Sequence, residues 1–145
     1  MAPEVRAFVE ATTPEDLAAL IDGLSDEEIH QAALAAGVGV VLERIFATMQ
    51  SMFRPERAEG QDGVVQWEVD DGNSTHVYHV TMDAGTCVAD AGPAVAPKAT
   101  LNFTLPNFLR FMAGEMNGIQ AFMTGKVRIS GDVMYAQRME GFFRD

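Results

Sequence analysis

The spacing of apolar residues changes at Val64 from threes and fours to twos, and changes back after Thr104. A chain punctuated in this way joins helices to a meander of strands within one fold. In the first strand Val65, Trp67 and Val69 alternate with Gln66, Glu68 and Asp70. After the polar "DGNS", Tyr78, Val80 and Met82 alternate with Val77, His79 and Thr81. Successive side chains of a strand point to opposite faces, so this pair reads as a β-hairpin with one wet face. Asp71-Gly72 is expected to supply the positive φ angles of a tight turn. A third strand is expected near Thr86 to Ala91, and a fourth at "ATLNFT", with Leu101 and Phe103 on one side.

Helices flank the strands. Thr13 followed by Pro14, Glu15 and Asp16 is a helix start, with a capping oxygen, a proline where its missing N–H costs nothing and carboxylates in the first turn. That helix is expected to end at Gly23. Ser25 with Glu28 makes a capping box for a longer helix. Its apolar positions are Ile29, Ala33, Ala36, Val40, Val41, Ile45, Met49 and Met52, with Gly37 and Gly39 as candidate breaks. After Pro55 comes the polar linker "RPERAEGQDG". Beyond the fourth strand, Pro106 opens a helix bearing Phe108, Leu109, Phe111 and Met112. Further helical turns through Ile119, Phe122 and Met123 stop at Gly125, and "KVRIS" is a last strand with Val127 and Ile129 inward. Asp132 starts a final helix with Tyr135, Met139 and Phe142 on one face.

The order of helices, strands, helices, strand and helix predicts an α+β layer with a largely antiparallel sheet. The last strand, arriving after a helical crossover, is expected to pair in parallel with a strand of the meander. At 145 residues the chain fits one domain. A net charge of −11 argues against nucleic acid or an anionic membrane as partner. The single cysteine, Cys87, excludes an internal disulfide and suits a reducing compartment. The N-terminus lacks a signal-peptide pattern, and no stretch is apolar for long enough to span a bilayer. These features predict a cytoplasmic protein without stable membrane insertion.

No motif for chemistry assembles. Gly37-Val38-Gly39 lies in a helical pattern and follows no strand, so it is no dinucleotide loop. His76 and His79, three apart on a strand, face opposite ways and cannot share a metal. Cys87 has no basic neighbour in sequence to lower its pKa. Asp132 is explained by capping and Asp71 by its turn. Catalysis on an apolar substrate would need a pocket-facing titratable group, and the alternation offers only Tyr78 as acid or base. The expectation is no enzyme, no metal and no cofactor.

The surplus is in soft apolar residues, with 9 methionines, 9 phenylalanines and 1 tryptophan. Most belong to an ordinary core, but methionine adapts to irregular apolar partners. A sheet face of Trp67, Tyr78, Val80 and Phe103 lies beneath helices carrying Phe111, Met112, Phe122, Met123, Met134 and Met139. Such layers can enclose an apolar cavity.

From about residue 60 onward the chain resembles the sterol carrier protein 2 family. The likeness rests on the hairpin "VVQWEVDDGNSTHVYHVTMDAGTCVADAG", the strand entry "PKATL" and above all "AFMTGKVRISGD" with the helix behind it. Phe122, Met123, Gly125, Lys126, Ile129, Gly131 and Asp132 occur there in the family's order. The resemblance implies a mixed five-stranded sheet covered on one face by helices. Between the layers it implies an apolar tunnel for a sterol, fatty acid, acyl-CoA or phospholipid, with binding as the activity. Phe108 and Ile129 then join Trp67, Tyr78, Val80, Phe103, Phe111, Met112, Phe122, Met123 and Met139 as expected ligand-binding residues. Residues 59–145 form the expected lipid-binding domain. Residues 1–58 form a helical extension packed on it, able to cover the sheet, fill the tunnel or meet a homodimer or enzyme partner through Ile45, Met49 and Met52. The rival reading is an accessory interaction domain whose cavity is closed by its own side chains. The ending "GFFRD" does not fit the peroxisomal signal of some family members.

Overall fold

The computed structural model describes residues 10, 11 and 13–143. Most of the N-terminal stretch expected to lack a signal sequence, and the last two residues of "GFFRD", fall outside them. Helix α1 (Pro14–Ile21) is capped by Thr13, whose hydroxyl accepts from the Asp16 N–H at 3.0 Å. Helix α2 (Asp26–Ala36) carries the complete capping box. The Glu28 N–H donates to Ser25 Oγ at 3.1 Å and the Ser25 N–H to Glu28 Oε1 at 2.9 Å.

Gly37 ends α2 at a φ of 96° and begins α3 (Val38–Ser51), the two helices meeting at 97°. This break changes which residues are inside. Val40, expected on the buried stripe, is 47% exposed, while Val38, Leu42 and Phe46 are buried. The helical phase restarts at Val38, so the inner positions recur at fours from there. Ile45 and Met49 are also buried and Met52 half-buried, so the stripe considered for a partner is covered by the protein's own core.

The strands are β1 (Gly63–Asp70), β2 (Thr75–Asp83), β3 (Thr86–Ala91), β4 (Ala99–Thr104) and β5 (Arg128–Gly131). They form one mixed sheet in the order β3-β2-β1-β4-β5. The parallel pair is β1 with β4, whereas β5 runs antiparallel to β4. This corrects the expected parallel last strand. The reversal arises because "GPAVAPK", with no helix of its own, carries the chain from the β3 edge past β2 and β1. The Gly92 N–H donates to Val77 O at 2.8 Å and the Ala94 N–H to Gln66 Oε1 at 3.0 Å, which lays this segment on the polar face. Helices α4 (Leu105–Met112), α5 (Gly118–Met123) and α6 (Val133–Glu140) follow β4 and bracket β5.

The two hairpins differ. Asp70 pairs with Thr75, so the first loop has four residues, and of Asp71 and Gly72 only the glycine has positive φ, at 88°. In the second, Asp83 pairs with Thr86, and both loop residues are left-handed, Ala84 at φ 50° and Gly85 at 84°. A two-residue turn of this kind favours Asn-Gly, because asparagine tolerates the left-handed region better than alanine. Ala84→Asn is therefore expected to stabilise the protein by about 0.5–1 kcal/mol, read as a higher urea midpoint at unchanged slope.

Candidate functional site: the ring layer between sheet and helices

Alternation on the central strand puts Val65, Trp67 and Val69 on the helix side. Register then aligns Trp67 with Tyr78 on one neighbour and Leu101 on the other. Strand β4 adds Phe103, and α4, whose start is fixed by the Thr104 cap and Pro106, lowers Phe108 and Phe111 onto these rings. Trp67 stacks on Phe103 at 6.1 Å and meets Phe108 edge-on at 6.1 Å, and Phe111 lies 5.2 Å from Phe103.

Helix α3 completes the layer with Phe46. Its ring stacks on Tyr78 at 4.3 Å and on Phe108 at 5.6 Å, and meets Trp67 edge-on at 5.9 Å. Phe46 thus joins rings from two strands and one helix. The sequence reading missed it because the apolar positions were traced as one helix through Gly37. The series Val38, Leu42, Phe46, at fours from the break, carried the signal.

Of the expected ligand-binding residues, Trp67, Val80, Phe103, Phe108 and Met139 are buried in the core. Tyr78, Phe111, Met112 and Ile129 are half-buried at its margin. Phe122 and Met123 are placed differently, at 40% and 79% exposure on the outer side of α5. Met134 is also exposed. Helix α5 has six residues and buries only Ala121, so its remaining apolar side chains have no layer to enter.

Met112 borders an apolar crevice of about 30 Å3 shared with Leu17 of α1, Ile45 and Thr48 of α3 and Met52 just beyond it. That volume is about a tenth of a small-molecule site. A depression of about 390 Å3 beside Arg57, Gln61, Arg138 and Phe142 is open to solvent and lies outside the ring layer.

Burial raises the phenols of Tyr78 and Tyr135 and the thiol of Cys87. At Tyr78 the Glu43 carboxylate adds to the rise that burial causes. Burial pushes the Cys87 thiol up to about 11. Tyr135 donates its hydroxyl to Gln61 O and is pushed up to about 12, by burial first and then by Asp62.

The buried charged residue among those described is Asp71, 9% exposed at the end of the first hairpin. Its Oδ2 lies 2.8 Å from His76 Nε2, and its Oδ1 accepts from the Asn73 and Ser74 N–H groups at 2.8 and 2.7 Å. The His76 hydrogen bond first, and the two backbone donors next, hold the carboxyl well below the usual carboxylate range. A depressed pKa gives stability that is complete above the unfolded value of about 4 and is lost as pH falls below it. Asp71→Ala is expected to cost about 1–3 kcal/mol at pH 7 and to flatten the acid limb of a stability-against-pH curve below pH about 4.

Comparison with known proteins follows the same lines. The model of the SCP-2 sterol transfer family matches residues 42–144. Hydroxysteroid dehydrogenase-like protein 2 of Danio rerio is 25% identical over 130 residues, covering 88% of this chain and 31% of its own length. The chain therefore spans less than a third of that relative. The crystal structure of Sterol Carrier Protein 2 Like 2 from Aedes aegypti superposes with a TM-score of 0.60 at 21% identity, covering 74% of this chain and 97% of that one. The sec-alkylsulfatase Pisa1 from Pseudomonas sp. superposes with a TM-score of 0.64 at 15% identity, covering 100% of this chain and 33% of that one. At these identities the two structures establish the fold. With the mixed sheet, the one-sided helical cover and a family match over residues 42–144, the chain belongs to the SCP-2 sterol transfer family.

Proposed function

We propose that the protein binds and carries an apolar lipid between its sheet and helices, without catalysing a reaction on it. The observation that carries this reading is the ring layer around Trp67, which is built of aromatic side chains and has its half-buried margin at Phe111 and Met112. Candidate ligands are a sterol, fatty acid, acyl-CoA or phospholipid. The ligand enters past Met112 and widens the crevice under α1 into a tunnel by displacing Phe46. Burying about 15 methylenes at about 0.8 kcal/mol each far exceeds an association cost of at least about 4 kcal/mol, so micromolar binding needs little polar recognition. From residue 59 onward the chain supplies the strands and α4 of the lipid-binding layer. The described residues before 59 form an extension packed on it, whose α3 closes the site with Phe46. A cytoplasmic location suits the lone buried thiol.

Met112→Glu tests this. A charge at the entry is expected to weaken uptake of a fluorescent long-chain lipid at least about tenfold while the thermal melt stays near wild type. Unchanged affinity in the folded variant removes Met112 from the site.

The small crevice supports a second reading, an accessory domain with a closed cavity that serves an enzyme partner or a homodimer. Domains of this fold within longer proteins, such as the alkylsulfatase, are compatible with it. The outer side of α2 and α3, with Leu34 and Val40 exposed, would make the contact. Light scattering on the full chain separates the two. A dimer that takes up no lipid favours this second reading, and a monomer that takes up lipid favours the first.

A further inference from the structure

Trp67 is 2% exposed, and among the described residues its Nε1 is the one buried side-chain nitrogen or oxygen without a hydrogen-bond partner. Indole N–H is a donor only, and leaving it unpaired in a core costs about 1–3 kcal/mol. Rings pack against the indole. Phe46 and Phe108 approach at interplanar angles of 76°, Phe103 stacks at 9° and Phe111 is tilted at 52°. An aromatic face is at most a weak acceptor. Other buried polar groups here are paired, as Tyr135 is to Gln61 and Asp71 to His76. A phenylalanine would fill most of the same space without the orphaned donor.

We infer that Trp67 Nε1 is the polar anchor of the lipid site and selects ligands that bring a neutral oxygen acceptor, a hydroxyl, ketone or ester, into the ring layer. This rests on the lipid-binding reading. The acceptor must be neutral because the helix-facing strand positions around Trp67 carry no cation. Arg110 is engaged by Asp26 at 2.8 Å and by Leu24 O at 2.9 Å, and Lys98 lies over the Tyr135 ring. The buried charge, Asp71, is itself an anion. A carboxylate would enter low dielectric without a counter-charge, which is costly.

The test uses the full chain and competition against a fluorescent long-chain lipid. The unlabelled competitors are a long-chain alcohol, the alkane of equal length and the corresponding carboxylate at pH 8, each with wild type and with Trp67→Phe. Wild type is expected to prefer the alcohol to the alkane about tenfold, the ratio given by one ordinary hydrogen bond, and to bind the carboxylate more weakly than the alcohol. Trp67→Phe should lose the preference, its alcohol-to-alkane affinity ratio falling to about one whatever its affinity for either. Equal wild-type affinity for alcohol and alkane, or an alcohol preference that survives in Trp67→Phe, overturns the inference while the lipid site stands. Failure of the fluorescent lipid and of every competitor to bind overturns both. If the variant fails to fold, the lone indole N–H resonance of 15N-labelled wild type decides. A downfield shift with the alcohol and none with the alkane supports the anchor, and identical shifts refute it.

Discussion

Phe46→Ala is expected to lower stability by about 3–5 kcal/mol and the melting temperature by about 10 °C, while making the protein a better lipid binder. The loss follows from the ring's position, 2% exposed and in contact with Tyr78, Trp67 and Phe108. The gain follows from what remains. A void lined by apolar rings stays dry and accepts apolar guests. A lipid in wild type must first push Phe46 aside, whereas in the variant it enters space already free. Saturating lipid at about a hundred times its dissociation constant should return about 2.7 kcal/mol to the variant. Melting curves with and without a long-chain lipid read both effects. A destabilised variant that no lipid rescues would make Phe46 an ordinary core residue.

The second large effect is expected at Gly131, and Gly125 serves as its control. Both have positive φ, 86° and 75°. A methyl group on Gly125 would meet nothing within 4 Å. On Gly131 it would come within 2.5 Å of Lys98 O and 3.1 Å of Ala99 Cα, and these are backbone atoms that cannot swing aside. The same junction ties β5 to β4, because the Asp132 N–H donates to Lys98 O at 2.8 Å while Asp132 Oδ1 accepts from the Tyr135 N–H at 2.9 Å to start α6. Gly125→Ala should cost about 1–2 kcal/mol, the left-handed penalty alone. Gly131→Ala should cost about 2 kcal/mol more, as β5 and α6 are forced away from β4. Urea unfolding of the two variants compares them directly. Equal losses would show that the close approach to Lys98 carries no cost.

Much of this fold was legible because local chemistry and tertiary structure agree. The caps at Thr13, Ser25 and Asp132 hold as read, since a side-chain oxygen at a helix start needs only its own next turn. The strand faces were legible for a similar reason, as a period of two leaves Trp67, Tyr78 and Phe103 on one side. The strand pairing was not. Whether β4 or β5 runs parallel to β1 depends on the path of residues 92–98 across the polar face, which no periodicity encodes. Within the layer, Trp67, Phe103 and Phe108 lie where alternation and helical spacing put them. Phe46 was hidden by a phase change at Gly37 whose angle only tertiary packing sets. Phe122 and Met123 failed for the opposite reason. They are bulky and in helical spacing, but α5 is too short and too peripheral to bury them.

Native mass spectrometry of the full chain, freshly purified, followed by extraction and identification of whatever is bound, decides whether the ring layer is a lipid site. A carrier gives a protein mass with one long-chain lipid attached, or an empty protein that takes up one equivalent of added lipid with a change in Trp67 fluorescence. An empty protein that takes up no sterol, fatty acid, acyl-CoA or phospholipid, with Trp67 emission unmoved, would contradict the lipid-carrier reading and leave the layer as a closed core.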